Sequence, residues 1–333
     1  MKTVGSPTLL SAQRFASASA SLRRQSEAAR IELTTGRLAD LPAALGGRIG
    51  EASSLRVALD LIAVRRQGLA QADLIATVSQ RALTEINDGA RSIATEALAA
   101  NGRRDDAALT TAARAARSRI EAAFSSLNVK VAGQFAFSGD ATDRTALSSP
   151  DQLLSDVEAI YASAADAASL DAALDLYFND PAGGFQTTIY RGGSGAAPTI
   201  EIADGERAVF SARADDAAVR DVLRGLAVIA AAGDAPPSSL RDGALSAAGA
   251  AALTGSDGLT ALRAAIGVNE RRAAEASVGL EDEETVLTEA YNGETARDPL
   301  DAATRLQALE AQLNASLLAT SRLSQLTLAN FLR

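Results

Sequence analysis

The sequence contains no cysteine, histidine or tryptophan, and its only methionine is Met1. These absences exclude thiol nucleophiles, disulfides, imidazole acid–base catalysis and every metal site that needs cysteine or histidine ligands. There is also no GxSxG elbow and no P-loop, and Gly192-Gly193-Ser194-Gly195 lacks the spacing of a dinucleotide fingerprint. We therefore predict a protein that is not an enzyme, with no catalytic, metal-binding or cofactor-binding residues and no cofactor.

Basic charge and long apolar runs are scarce as well. The net charge of the 333 residues is −9, which argues against nucleic acid and anionic membrane surfaces as partners. The longest run without a formal charge, Gly243–Ser256, is 14 residues, shorter than the roughly 20 that a membrane span needs. The first residues, MKTVGSPTLLSAQRF, have no continuous apolar segment. We expect no nucleic-acid partner, no membrane insertion and no cleaved signal peptide.

Proline and aromatic residues are few, and both concentrate in the middle of the chain. Five of the eight prolines lie between residues 150 and 237, and nine of the twelve Phe and Tyr residues lie between 124 and 210. Two alanine-rich arms therefore flank a more interrupted middle. From this pattern we predict three regions: terminal helices at 1–40 and 300–333, a helical rod domain at 41–145 and 255–299, and a variable α+β outer domain at 146–254.

The arms carry apolar residues at helical spacing. Such residues recur every three or four positions in both arms, at Leu83, Ile86, Ala90, Ile93 and Ala97 and again at Leu306, Leu309, Leu313 and Leu317. Asp105-Asp106 and Asp298-Pro299 are typical helix starts. The fold prediction is mainly α: a long, antiparallel, coiled-coil-like helical rod from both chain ends, with a small α+β domain inserted in the middle.

The middle region predicts both helices and strands. Ser149-Pro150 starts one helical run, and Val219–Ile229 is apolar at helical spacing. The composition favours strands at Phe185–Tyr190, Thr199–Ile202 and Ala208–Ala212, with a turn at Asp204-Gly205. The glycine-rich Gly192–Gly195 is interpreted as a flexible hairpin or loop tip.

Charge is distributed unevenly along the chain. Residues 1–40 carry net +3 and residues 300–333 net +1, which leaves −13 for the remainder. The acidic run Glu281–Glu284 could hold a cation through oxygen ligands. Consecutive residues on a helix point in different directions, however, so a solvated helix face is the favoured interpretation.

Both chain ends are striped with large apolar residues. An internal core stripe would explain them within one molecule, but two such ends in an alanine-rich chain also suit an intermolecular coiled coil. The candidate assembly interface consists of the following residues: Leu10, Phe15, Leu22, Leu306, Leu309, Leu313, Leu317, Leu326, Leu328, Phe331 and Leu332.

Three motifs carry a family resemblance. Asp298–Leu332 resembles the C-terminal helix of bacterial flagellins and of the related hook–filament junction protein, through Thr304-Arg305-Leu306 and the LSQLTL of Leu323–Leu328. Ser11–Leu38 resembles the N-terminal helix of that family, which closes in a turn matched here by the LTTGR of Leu33–Arg37. The GQFAFSG of Gly133–Gly139 is similar to the segment that ends the family's N-terminal region.

The resemblance covers residues 1–145 and 255–333. The sequence departs from the family pattern after the LTTGR turn. There ADLPAALGGRIGEA (Ala39–Ala52) replaces the Asp-Asp-Pro or Asp-Asp-Ala segment that is common in the family. The GQFAFSG segment, the spacing of ELTTGR (Glu32–Arg37) and the short, proline-punctuated middle favour the junction type of subunit over the filament type.

The resemblance implies an extracellular structural subunit of the bacterial flagellum, at the hook–filament junction. Such a chain leaves the cell unfolded through the flagellar type III export channel, protected beforehand by an export chaperone. Its terminal helices pair on assembly. The implied partners are copies of itself in a ring, a neighbouring hook-associated protein and filament flagellin. Two alternatives stay open: the filament flagellin itself, and, in a different class, a cytoplasmic coiled-coil scaffold.

Overall fold

The computed structural model describes the backbone of residues 9–331; of these, the side chains of residues 9–12, 15, 47 and 323–331 are not described. The chain is mainly helical, which confirms the predicted main class. It divides into two compact units: Met1–Ala63 with Glu281–Arg333, here called the terminal unit, and Val64–Leu280, the central unit. This division differs from the three predicted regions, which stay a prediction.

The terminal unit contains both ends of the described chain. It comprises α1 (Leu9–Thr35), α2 (Leu41–Leu45), a 3₁₀ turn (Gly46–Arg48), the start of α3 (Ile49–Arg103), the end of α8 (Ser239–Thr295) and α9 (Pro299–Phe331). Its buried cluster is Leu45, Ala52 and Tyr291, with Leu38, Leu41, Leu55 and Leu59 packed against it. The Asp298 carboxylate accepts a hydrogen bond from the Leu300 amide at 2.8 Å, which confirms the predicted start of α9.

The central unit is built around α7 (Ala217–Ala232), whose buried face packs on α4 (Asp106–Leu127), α5 (Pro150–Ser163) and α6 (Ala167–Asn179). Along α7 the buried side chains include Val219, Val222, Leu223, Leu226 and Ile229. Asp105 caps α4 by accepting a hydrogen bond from the Ala108 amide at 3.1 Å, as predicted. Pro150 is the first residue of α5, which confirms the predicted start there.

Within residues 9–331, the strands form two separate antiparallel hairpins. The first pairs β1 (Lys130–Val131) with β2 (Gln134–Phe135), and the second pairs β3 (Thr199–Ala203) with β4 (Glu206–Val209). Gly205 adopts φ +73° in the tight turn between β3 and β4, which confirms the turn predicted there. The third predicted strand is wrong in extent, because β4 ends at Val209 and residues 210–212 lie outside it.

The strand predicted at Phe185–Tyr190 is wrong. Residues Phe185–Ile189 form a single π-helical turn, closed by a 2.8 Å hydrogen bond from the Tyr190 amide to the Phe185 carbonyl. This turn buries Phe185 and Ile189 together. It is possible because Gly184 packs against the Tyr177 ring at a distance that leaves no room for a Cβ atom. Tertiary packing therefore overrides the β-branched composition of the segment.

The glycine-rich loop Gly192–Gly195 is tied to the central unit rather than projecting as a free tip. The Gly193 amide donates to the Ser138 carbonyl at 2.9 Å, and the Tyr190 hydroxyl donates to the Gly193 carbonyl at 2.9 Å. The Asp140 carboxylate accepts from the Gly195 amide at 3.1 Å. The predicted flexible loop tip is thus corrected, because these partners lie outside the loop's own sequence.

The GQFAFSG segment, Gly133–Gly139, contacts both the glycine-rich loop and the residues that precede α7. Phe137 and Ser138 are fully buried. The Phe137 carbonyl accepts from the Ala214 amide at 2.9 Å, and the Ser138 hydroxyl donates to the Arg144 carbonyl at 2.8 Å. This segment therefore joins the loop and the start of α7 to the end of the first alanine-rich arm.

Candidate assembly interface

The helices α1 and α9 pair in antiparallel fashion within one chain. The Ser19 and Ser316 hydroxyls lie 3.1 Å apart, Arg30 forms an ion pair with Glu310 at 3.5 Å, and Glu32 lies 3.8 Å from Arg305. Partners on α9 move toward its N-terminus as the α1 residues move toward its C-terminus. The helices α1 and α9, which lie at opposite ends of the sequence, therefore pack side by side.

The seam between α1 and α9 contains both small and large side chains. On α1 it includes Ser26 and Ala29, which are buried; on α9 it includes Ala302, which is fully buried, and Leu309. The small side chains let the two helix backbones approach closely at those positions.

The structure places the predicted interface residues in three groups. Leu309 is buried, Leu22, Leu306 and Leu313 are half-buried, and Leu317 is 44% exposed. The intrachain seam continues through Ser316 rather than Leu317. The side chains of Leu10, Phe15, Leu326, Leu328 and Phe331 lie outside the described residues, and Leu332 lies wholly outside them.

Further apolar side chains on the pair, not predicted from the sequence, are exposed. Leu300 is 74% exposed and Leu318 64% exposed on α9, while Ile31 is 45% exposed and Leu33 36% exposed on α1. A soluble monomer seldom presents several large apolar side chains on one helix pair without a use for them. These exposed side chains are available for burial against other helices.

The LTTGR turn joins the end of α1 to the segment between α8 and α9. Gly36 adopts φ +66°, which lets the chain reverse direction after α1. The Leu38 amide then donates to the Thr295 carbonyl at 2.9 Å, and the Arg297 amide donates to the Gly36 carbonyl at 2.9 Å. The Arg37 guanidinium donates to Asn292 at 3.2 Å. The turn therefore sets the register in which α1 meets α9.

A buried carboxylate that no sequence pattern predicted lies beside this turn. Glu32 is only 5% exposed, and its Oε1 accepts a hydrogen bond from the Ala39 amide at 3.3 Å. Its Oε2 lies 3.9 Å from Arg297 and 3.8 Å from Arg305, and it has no hydrogen-bond partner. The sequence signal was weak, since Glu32 is one acidic residue among many and its partners lie far along the chain.

Titratable groups with clearly shifted pKa values lie in the central unit. Burial raises the pKa of Tyr190 to about 12, and the nearby Asp215 charge adds to this effect. The pKa of Arg213 is raised, mainly by its hydrogen bond to Asp215. Arg213 also donates to the Ser194 and Gly195 carbonyls at 2.9 and 3.1 Å, so these groups hold the glycine-rich loop in place.

Two further features bear on the sequence predictions. In the described part of the chain, no group of three or more acidic side chains is arranged to hold a metal ion. The acidic run Glu281–Glu284 lies on α8, where Asp282 and Glu283 are exposed. None of the helices that the structure describes combines the length and apolar character needed to cross a membrane.

Comparison with known proteins adds no family assignment, since no protein-family model and no curated protein matches the chain. Function is therefore inferred from the residues and their geometry.

Proposed function

We propose that this chain is a structural subunit of the bacterial flagellum that joins the hook to the filament by helical polymerisation of its terminal coiled-coil segments. One observation carries the proposal: α1 and α9 pair with each other within the chain while Leu300, Leu317 and Leu318 stay exposed. A helix pair of this kind has one face satisfied within the chain and another available to neighbouring copies.

Burial of the exposed leucines would contribute to assembly. Fully burying a leucine side chain contributes about 1.5–3 kcal/mol relative to leaving it in water. Leu317 and Leu318 are 44% and 64% exposed, so they gain the remaining part of this contribution only when another subunit covers them. Ordering each terminal residue costs about 1–2 kcal/mol, so contacts between copies offset what the pair lacks alone. The chain would thus polymerise where copies accumulate.

In this proposal the arms form a coiled-coil rod and the middle forms an outer domain. The long helices α3 and α8, of 55 and 57 residues, support the rod, because helices of such length are typical of extended helical assemblies. The three-region division, with an α+β outer domain at 146–254, belongs to this proposal. The hairpin β3–β4 supplies its strands.

The composition also suits export as an unfolded chain. A chain without cysteine has no disulfide to form or reduce before passage through a narrow channel. We propose that it leaves the cell by type III export, without a cleaved signal peptide and with the help of a chaperone. Its proposed final position is extracellular, in a ring of copies between a hook-associated protein and filament flagellin.

Immunogold labelling of detached, intact flagella tests the proposal directly, with an antibody against the middle region. The expected result is a single spot where hook meets filament. Label along the whole filament would identify a filament flagellin instead. Protein found only in the cytoplasm, with no label on flagella, would favour a coiled-coil scaffold and overturn the proposal.

A substitution on α9 tests the role of its apolar face. Leu317→Asp is expected to leave the monomer folded, because Leu317 is already 44% exposed, yet to block incorporation into flagella. Leu313→Asp is expected to block incorporation as well. Gln312→Asp is the matched control, since position 312 is exposed and points about 140° away from 317 around the helix. Normal incorporation of Leu317→Asp would contradict the proposed interface.

A further inference from the structure

The buried carboxylate of Glu32 contacts three separate segments of the terminal unit. Its side chain is only 7% exposed, and its Oε2 lies 3.8 Å from Arg305 and 3.9 Å from Arg297. Its Oε1 accepts a hydrogen bond from the Ala39 amide at 3.3 Å. Arg305 belongs to α9, Arg297 to the connection before it and Ala39 to the segment after the LTTGR turn. One side chain of α1 therefore joins these three segments.

Apolar spacing alone does not fix the register of the pair, that is, the axial position of α9 along α1. Leucines recur on α9 at Leu306, Leu309 and Leu313. A displacement of α9 by seven residues would put Leu313 in the place of Leu306, and one of four residues would put it in the place of Leu309. Displaced pairings would therefore bury similar side chains, and another interaction must exclude them.

The main-chain hydrogen bonds of the LTTGR turn lack side-chain specificity as well. They join Gly36 to Arg297 and Leu38 to Thr295. Every residue other than proline offers the same amide and carbonyl groups, so a displaced connection could form similar bonds through neighbouring residues. The turn therefore holds the base of the pair in the observed register without penalising the alternatives.

The ion pair of Glu32 with Arg305 cannot be formed again after a displacement. Arg305 is the only basic residue from 298 to 321. A displacement by one turn would put Asp301 or Leu309 in its place, since these lie four residues to either side. The Glu32 carboxylate would then lose one of its two arginines and face another carboxylate or an apolar side chain. Removing a partner from a buried charge is strongly unfavourable, so displaced registers are penalised.

We infer that Glu32 selects the register of α1 against α9, by excluding the displaced pairings that the turn tolerates. A buried polar or charged side chain has this role in coiled coils, because it discriminates between pairings of equal apolar content. The observed register places Ser316 3.1 Å from Ser19 and leaves Leu317 exposed. Glu32 therefore also decides which side chains α9 presents outward. The inference concerns contacts within one chain and does not depend on the proposed function.

Intrachain disulfide formation measures the register in the full chain, which has no native cysteine to interfere. Ser19→Cys with Ser316→Cys reports the observed register, because these two hydroxyls lie 3.1 Å apart. Ser19→Cys with Gln312→Cys or with Thr320→Cys reports a displacement by one turn in either direction. Each double-cysteine chain is oxidised at low protein concentration, and the linked peptides are quantified by mass spectrometry. We expect the 19–316 link to form much faster than the two displaced links.

Glu32→Gln tests the inference in all three double-cysteine chains. It keeps the size of the side chain and removes its charge, so the ratio of the 19–316 link to the displaced links is expected to fall about tenfold. Glu27→Gln is the matched control, because Glu27 is exposed on the same helix, and it should leave the ratio unchanged. Arg305→Gln should lower the ratio too, and its effect should be smaller in the Glu32→Gln background, since both residues act through one contact.

The ratio separates a role in register from a role in stability alone. Weaker pairing of α1 with α9 would change the rates of all three links together, and an unchanged ratio in Glu32→Gln would overturn the inference. An equal fall in Glu27→Gln would overturn it as well. Circular dichroism measures the helix content of each variant, and if Glu32→Gln loses helix content, Arg305→Gln makes the same test from the partner residue. Gold labelling of flagella decides the proposed function separately, so each can fail alone.

Discussion

Replacing Phe137 with alanine should destabilise the central unit strongly. Phe137 is fully buried, and it belongs to the segment that ties the glycine-rich loop to the start of α7. Truncation removes the transfer free energy of the ring and leaves a cavity, which together cost about 3–5 kcal/mol. For a unit of this size, each kcal/mol shifts Tm by about 2–4 °C, so we expect a decrease of about 6–20 °C.

Phe135, two residues earlier in the same segment, provides the control. Its ring is half-buried and lies 4.6 Å from the Lys130 ammonium. Phe135→Ala loses less buried area and one cation–π contact, so we expect a cost of about 1 kcal/mol and a Tm decrease of about 2–4 °C.

Scanning calorimetry of the wild-type chain and both variants checks the difference. The relevant transition is the one with the larger enthalpy, because the central unit contains most of the chain. Helix content, measured by circular dichroism well below the transition, establishes that each variant is folded. Equal decreases for Phe137→Ala and Phe135→Ala would refute the placement of Phe137 in the core.

Three further predictions concern the central unit. Gly225→Ala should lower the free energy of unfolding by about 1–3 kcal/mol, because a Cβ there would lie 2.6 Å from the Ala248 carbonyl oxygen. Gly279→Ala, with open space around it, should raise that free energy by about 0.5–1 kcal/mol, and denaturant titration of both variants checks the two signs. Tyr190 has its pKa raised from 10.0 to about 12, so the stability it contributes should be complete below pH 10 and be lost as the pH rises through 12. The difference in tyrosinate absorbance between the wild-type chain and Tyr190→Phe reports the deprotonation of Tyr190, and it should appear near pH 12. Its appearance near pH 10 would contradict the burial of Tyr190. Asp105→Ala should cost about 1 kcal/mol and speed amide exchange in the first turn of α4, and unchanged exchange would argue against the cap.

Local signals predicted the helix starts well. Asp105, Pro150 and Asp298 mark the starts of α4, α5 and α9, because a cap depends only on a side chain and the next few amides. The turn at Asp204-Gly205 was predictable for the same reason, since glycine tolerates the positive φ that the hairpin needs.

Nonlocal packing explains the failures. The segment at Phe185 has the composition of a strand but forms a π-helical turn, because Gly184 packs against Tyr177 and the turn buries Phe185 with Ile189. The loop at Gly192–Gly195 has the composition of a free tip but is held by Asp140 and Arg213. In both cases the deciding partner lies outside the segment.

At the candidate interface, too, local spacing was predictable and the packing partner was not. The apolar stripe of α9 was visible as leucines at helical spacing, but the pattern could not tell which leucine faces α1. Leu309 is buried in the seam, whereas Leu317 is 44% exposed and Ser316 takes its place against Ser19. The cluster of Glu32 with Arg297 and Arg305 was invisible, because many charged residues compete as partners in the sequence.

By itself, the sequence determined the helical character of the chain, the starts of several helices and the absence of thiol and imidazole chemistry, since these depend on residue type and short-range spacing. Only the tertiary structure decided which apolar side chains are buried, which loop is tied down and where a carboxylate is enclosed among arginines. The physical reason is that burial and ion pairing are properties of two surfaces in contact, and the second surface is set by the fold.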